Sequence, residues 1–200
     1  MDELLIYLSI GFKHIIDYRG LEHISEYKGS DHVLFVLALS LRYYWTDWKK
    51  LLVLITAFTI GHSITLALST LNWVEFPIEI IELLIPMTIV FTALTNFWVK
   101  DFEFKAKYPL IYFLALFFGL IHGLGFSNYL KSLLGKEDSI FGPLLSFNVG
   151  LEIGQLLIVG IILIISFIFV YVFKANRLRY LQIGSGLVLA LAMNMVLDRL

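Results

Sequence analysis

Residues 142–173 read GPLLSFNVGLEIGQLLIVGIILIISFIFVYVF, an apolar run in which Glu152 is the only charged side chain. A helix needs about 20 such residues to cross the hydrocarbon core of a bilayer. This run is therefore long enough to span with a strong tilt, or to span and emerge at one end. A carboxylate in hydrocarbon is costly unless it faces protein, water or an ion, so Glu152 is a candidate functional residue.

The rest of the chain has the same apolar character. Of its 200 residues 59% are hydrophobic and 16% are charged, and the mean hydropathy is +0.84, far from the composition of a soluble domain. Further apolar runs lie at 51–71, 78–99, 109–130 and 178–197, with a shorter one at 32–45. We expect an all-α integral membrane protein with one domain, residues 1–200, in which residues 31–200 form a bundle of six transmembrane helices.

The first 30 residues form an amphipathic segment before this bundle. No basic stretch precedes its apolar residues, so we do not expect a cleaved signal peptide. Residues 4–16 are too few to span and favour a helix that lies in the interface or enters the membrane and returns. The nonapeptides HIIDYRGLE and HISEYKGSD then follow in tandem at 14–22 and 23–31.

The tandem nonapeptide places three histidines at a spacing of nine residues. His14 begins the first copy, His23 begins the second, and His32 follows Asp31 directly. We interpret His14 and His23 as solvated surface residues. Asp31 and His32 begin the short apolar run, so we expect them to lie below the membrane surface and to capture a cation.

The loops between the expected helices differ in basic residues. One set of loops carries Arg42, Lys49, Lys50, Lys100, Lys105, Lys107, Lys174, Arg177 and Arg179, and the opposite set carries fewer over more chain. Since short cytoplasmic loops are enriched in Lys and Arg, both termini are predicted on the non-cytoplasmic side. The expected location is the inner (plasma) membrane of a bacterium, crossed several times.

Polar side chains recur near the middle of three runs. His62 lies in GHSIT at 61–65 and His122 in GLIHG at 119–123. Asn148, Glu152 and Gln155 form one stripe of the run at 142–173, at i, i+4 and i+7. Glycines in the same segments let helix backbones approach closely. We expect His62, His122 and Glu152 to converge near the membrane midplane, supported by Asn148, Gln155 and Ser63.

Two imidazoles and a carboxylate are ligands that suit Ni²⁺, Co²⁺ or Zn²⁺. Copper(I) prefers sulfur, and the chain has no cysteine and only four methionines. We expect the ion to be a transported substrate rather than a permanent cofactor. The other expected partners are membrane lipids, and self-association into a homo-oligomer is left open. A formal net charge of −1 gives no indication of nucleic-acid binding.

Four motifs in order resemble the HupE/UreJ family of bacterial membrane proteins, which is associated with hydrogenase and urease operons and regarded as nickel or cobalt permeases. They are GSDHVLF at 29–35, TAFTIGHSITL at 56–66, FGLIHGLGF at 118–126 and FNVGLEIGQ at 147–155. The resemblance implies six or so transmembrane helices and metal-handling roles for His23, Asp31, His32, His62, His122 and Glu152. The family pattern has a single H-x5-G-x-D-H element, so the copy that begins at His14 is an addition.

The leading hypothesis is a non-enzymatic permease that admits Ni²⁺ (or Co²⁺) through a site of His, Glu and Asp residues near the midplane. One alternative is an intramembrane zinc-dependent hydrolase, in which His62, His122 and an acid hold Zn²⁺ to activate water. Another is a non-transporting accessory scaffold for metalloenzyme maturation. An exchangeable ion distinguishes the permease, and a tightly held zinc distinguishes the hydrolase.

Overall fold

A computed structural model describes residues 3–16, 30–99, 110–134 and 140–200. Every regular element in these ranges is helical, which confirms the all-α prediction. The helices are α1 (Glu3–Ile16), α2 (Ser30–Ser40), α3 (Trp48–Thr70, after a 3-10 turn at Trp45–Asp47), α4 (Ile78–Thr95, before a 3-10 turn at Asn96–Trp98), α5 (Leu110–Leu134), α6 (Phe141–Phe167, continued by a π-helical turn at Ile168–Val172) and α7 (Arg177–Leu197).

Five of the described helical segments are long and apolar enough to cross a membrane: Trp45–Thr70, Ile78–Trp98, Leu110–Leu134, Phe141–Val172 and Arg177–Leu197. The expected sixth crossing is α2, which is apolar but has only 11 residues. At the helical rise it is about 16 Å long, roughly half of the hydrocarbon core. The helix ends where apolar residues give way to Arg42 and the aromatic residues after it. Six full crossings are therefore not confirmed.

Helices α3 and α5 run parallel with their backbones in close contact. A Cβ atom on Gly61 would meet the carbonyl oxygen of Leu116, and one on Gly119 would meet that of Phe58. Small residues permit such an approach, which strengthens helix packing in lipid. We call this contact the glycine seam. It brings together His62, which follows Gly61, and His122, which lies three residues after Gly119.

Helix α1 lies lengthwise along the first part of α6 and runs parallel to it. Leu4 lies near Gly142 and Ile15 near Gly154, while Gly150 leaves room for the backbone of α1 between them. The expectation of a helix that lies in the interface or enters the membrane and returns is not confirmed. Glycines of α6 form a groove that accepts α1. Residues 17–29, with His23 and most of the tandem nonapeptide, lie outside the described residues.

Polar contacts identify the two ends of the bundle. At one end Arg42 donates to the carbonyl oxygen of Thr95 at 3.4 Å, and Asn96 donates to that of Ala38 at 2.8 Å. At the other end Arg199 donates to the carbonyl oxygen of Glu82 at 2.8 Å. We call these the Arg42 end and the Arg199 end. Helices α1, α2, α4 and α6 run toward the Arg42 end, and α3, α5 and α7 run away from it.

Candidate metal site

Four histidines from four helices meet inside the bundle. His32 of α2 is the central one: its ring centroid lies 4.8 Å from that of His14 on α1, 5.8 Å from that of His62 on α3 and 5.0 Å from that of His122 on α5. We call these four residues the histidine cluster. The structure therefore brings together three of the predicted metal-site residues, His32, His62 and His122.

Each ring of the histidine cluster has a buried nitrogen with no hydrogen-bond partner among the described residues. These atoms are Nε2 of His14, His32 and His62, and Nδ1 of His122. Buried polar atoms in proteins are nearly always hydrogen-bonded. Four unmatched nitrogens on converging rings leave lone pairs or N–H groups unsatisfied, and a metal ion is a partner that satisfies lone pairs.

The spacing of the nitrogens is close to that of a coordination sphere. His14, His32 and His62 offer ligand atoms that all lie within 4.8 Å of one another. Imidazole nitrogen binds Zn²⁺ at about 2.0–2.1 Å, so two such nitrogens on one ion are at most about 4.2 Å apart. The rings thus form an open site that must contract slightly to place three nitrogens on one ion.

His14 belongs to this site, although the sequence suggested a solvated surface residue. Its ring packs against Phe126 with the centroids 4.0 Å apart, and its Nε2 atom is buried. A signal was present in the sequence: His14 lies three residues after Gly11, as His122 lies three residues after Gly119. In both helices the glycine faces a neighbouring backbone, which brings the histidine one turn later into the interior.

Asp31 lies beside the histidine cluster in the chain but has a different partner. Arg199 Nη2 lies 3.3 Å from Asp31 Oδ2, and both side chains are largely buried. The carboxylate that we expected to capture a cation is therefore paired with an arginine near the end of the chain. His23, also predicted in the site, is outside the described residues.

Glu152 is likewise not in the histidine cluster. Its Oε1 atom accepts a hydrogen bond from Thr56 Oγ1 at 2.6 Å, and Thr59 Oγ1 donates to Gln155 Oε1 at 3.0 Å. Both contacts join α6 to α3. Because these helices run in opposite directions, residues after Asn148 on α6 meet α3 on the Arg42 side of the cluster.

Of the predicted supporting residues, only Asn148 contacts the histidine cluster. Its Oδ1 atom lies 3.4 Å from Nδ1 of His62. Ser63 instead donates to the carbonyl oxygen of Thr59 at 2.7 Å within its own helix. Thr88 of α4, which the sequence did not single out, lies 3.1 Å through Oγ1 from Nε2 of His122.

Phenylalanine side chains lie on both sides of the histidine cluster. Toward the Arg42 end, Phe35, Phe58 and Phe118 lie about one turn from His32, His62 and His122 along their own helices. The ring centroid of Phe35 is 4.9 Å from that of Phe58 and 5.9 Å from that of Phe118. We call these three side chains the inner phenyl layer.

Toward the Arg199 end the rings of Phe126 and Phe147 stack, with centroids 4.8 Å apart and planes 15° apart. We call them the outer phenyl pair. Apolar constrictions of this kind exclude water and hydrated ions. The histidine cluster thus lies between two groups of apolar rings.

The comparisons with known proteins agree with the motifs of the sequence. One family model, described as HupE / UreJ protein, matches residues 8–199. No curated protein and no solved structure matches the chain.

Proposed function

Because the chain belongs to the HupE/UreJ family, which suggests a metal-related permease or accessory function, we propose that it carries a divalent transition-metal ion across the membrane. The histidine cluster is the proposed binding site, and Ni²⁺ or Co²⁺ is the proposed substrate. The observation that carries this proposal is the convergence of four buried imidazole rings, each with a nitrogen that has no hydrogen-bond partner in the described residues. Nitrogens of three of these rings, His14, His32 and His62, lie within 4.8 Å of one another.

The ligand chemistry favours a transition metal over Mg²⁺ or Ca²⁺. Imidazole suits Ni²⁺, Co²⁺ and Zn²⁺, whereas Mg²⁺ and Ca²⁺ prefer oxygen ligands. With Asp31 and Glu152 bound elsewhere, the cluster offers only neutral nitrogen donors. The choice of nickel or cobalt among these ions rests on the family resemblance.

The two short helices support a transporter. Helix α1 runs from the Arg199 end to His14, and α2 runs from His32 to the Arg42 end, so the two half-length helices meet at the cluster. Discontinuous helices that meet near the midplane are a recurring way to build a substrate site in secondary transporters. We propose that α1 and α2 together take the place of the sixth crossing.

The proposed direction is from the Arg199 end to the Arg42 end, which the basic loops assign to the cytoplasm. A cavity of about 250 Å³ opens at the Arg199 end, lined by residues that include Glu75, Ser127 and Lys131. From there an ion would pass Asp31 and the outer phenyl pair to reach the cluster. Glu152 and Thr56 lie beyond the cluster and offer oxygen ligands on the way out.

Because phenylalanine rings flank the histidine cluster on both sides, we propose that access alternates between the two ends. Opening the outer phenyl pair would admit an ion, and opening the inner phenyl layer would release it. If both groups of rings opened at the same time, water and ions would leak through the protein. The open spacing of the nitrogens is consistent with weak, reversible binding, which transport requires.

The test is Ni²⁺ uptake into proteoliposomes, together with equilibrium Ni²⁺ binding to the same preparations. His62→Ala is expected to lose both binding and uptake, because it removes a cluster ligand. Glu152→Gln is expected to keep the affinity within about threefold, a change of at most about 0.7 kcal/mol, while uptake slows. The matched control is Glu79→Gln, an exposed carboxylate in the first turn of α4, which should change neither.

Two results would contradict the proposal. Uptake by His62→Ala at the rate of the parent would exclude the cluster from the pathway. Stoichiometric zinc that survives a chelator wash would favour the intramembrane hydrolase, since a carried ion must exchange.

A further inference from the structure

The side-chain amide of Asn148 faces one ring nitrogen of His62. The Nδ2 atom of Asn148 donates to the carbonyl oxygen of Leu144 at 2.8 Å, which fixes the amide so that its oxygen faces His62. A carbonyl oxygen only accepts hydrogen bonds. Across the 3.4 Å contact, Nδ1 of a neutral His62 ring must therefore carry the proton, and Nε2 keeps the lone pair.

Thr88 acts in the same way on His122, but through the other ring nitrogen. The hydroxyl of Thr88 donates its single proton to the carbonyl oxygen of Ile85 at 2.7 Å. Toward Nε2 of His122, 3.1 Å away, this oxygen can then only accept. Nε2 of His122 therefore carries the proton, and Nδ1 keeps the lone pair.

In both rings the nitrogen left with the lone pair is the one that is buried without a partner among the described residues. We propose that Asn148 and Thr88 are positioning residues that hold His62 and His122 in opposite tautomers, so that each ring keeps its lone pair on the buried nitrogen that is available to a metal ion. The consequence for metal binding rests on the proposed function. The tautomers themselves do not, because they are properties of the metal-free chain.

The alternative tautomer of each ring would be energetically unfavourable. Moving the proton of His62 to Nε2 would set the Nδ1 lone pair against the Asn148 oxygen and point an N–H group at the neighbouring histidines. Moving the proton of His122 to Nδ1 would likewise set the Nε2 lone pair against the Thr88 oxygen. Partners that fix a histidine tautomer in this way commonly raise metal affinity 10- to 100-fold.

The experiment is tautomer-resolved NMR of ¹³C,¹⁵N-histidine in the metal-free full chain in lipid nanodiscs, with Ni²⁺ titration of the same samples. Single His→Gln variants assign the ring signals. In the parent, His62 is expected protonated on Nδ1 and His122 on Nε2. Thr88→Val should leave His122 as a mixture of its two neutral tautomers and weaken Ni²⁺ binding about 10- to 100-fold. Thr88→Ser keeps the hydroxyl group and should match the parent in both measurements. Asn148→Leu should affect His62 alone.

Thr92→Val is the matched control. Thr92 is also buried on α4 and donates to a backbone carbonyl oxygen one turn away, that of Thr88. It should change neither tautomer nor affinity. The inference is overturned if His122 of the parent is protonated on Nδ1, or if Thr88→Val matches Thr92→Val in both measurements. A parent chain that binds no Ni²⁺ would refute the proposed function, while the NMR signals would still decide the tautomers.

Discussion

Replacing His32 with glutamine is expected to lower Ni²⁺ affinity by at least about 100-fold, or about 2.8 kcal/mol. His32 is the only residue of the histidine cluster whose ring contacts the other three rings. Its loss would leave His122 separated from the remaining pair. Glutamine is similar in length, so the effect would come from the lost nitrogen ligand. Isothermal titration of Ni²⁺ into the purified chain measures it.

The control for this variant is Ser40→Ala, at the far end of the same helix. Ser40 is also buried but lies toward the Arg42 end, well away from the cluster. It should retain the affinity of the parent. Unchanged affinity in His32→Gln, with the same thermal stability as the parent, would show that the histidine cluster is not the site.

Adding one methyl group at Gly150 is expected to destabilise the chain by about 1–3 kcal/mol. The Cβ of Gly150→Ala would meet the carbonyl oxygen of Leu8, so α1 must move away from α6. A backbone carbonyl group cannot move aside as the end of a flexible side chain can. Because His14 lies on α1, Ni²⁺ affinity should fall in the same variant. Thermal unfolding in detergent measures the loss of stability, since each kcal/mol lowers Tm by about 2–4 °C.

Gly160→Ala provides a matched control on the same helix. A Cβ at Gly160 meets nothing within 4 Å, and alanine favours the helix over glycine by up to about 1 kcal/mol. This variant should be neutral or slightly more stable. Equal stability of the two variants would mean that α1 does not pack on α6 through this glycine.

Much of the fold was predictable because a bilayer imposes few solutions. Apolar runs of about 20 residues read as helices without further information, and the ends of the long runs agree with the helices. The exception is the run at 32–45, because α2 ends at Ser40 and the largely aromatic residues after it do not continue the α-helix. The family resemblance is confirmed by the match over residues 8–199.

Which residues form the site was only partly predictable. The sequence gives the depth of a residue in the membrane, but it does not say which residues of other helices that residue contacts. His62 and His122 were expected to share a site, and the glycine seam of α3 and α5 brings them there. Glu152 was expected at a similar depth but lies on the Arg42 side of the cluster, where it contacts Thr56. His14 was missed because α1 is too short to span, and the groove that accepts it is formed by glycines far away in the sequence.

X-ray absorption at the nickel edge tests the central claim most directly, because it reports the atoms bound to the ion. For the Ni²⁺-loaded parent we expect three or four imidazole nitrogens at about 2.0–2.1 Å, the distance typical of such ligands. In His32→Gln, loaded at high Ni²⁺, the imidazole contribution should fall. A first shell of oxygen atoms alone, with no imidazole scattering in the parent, would contradict the account.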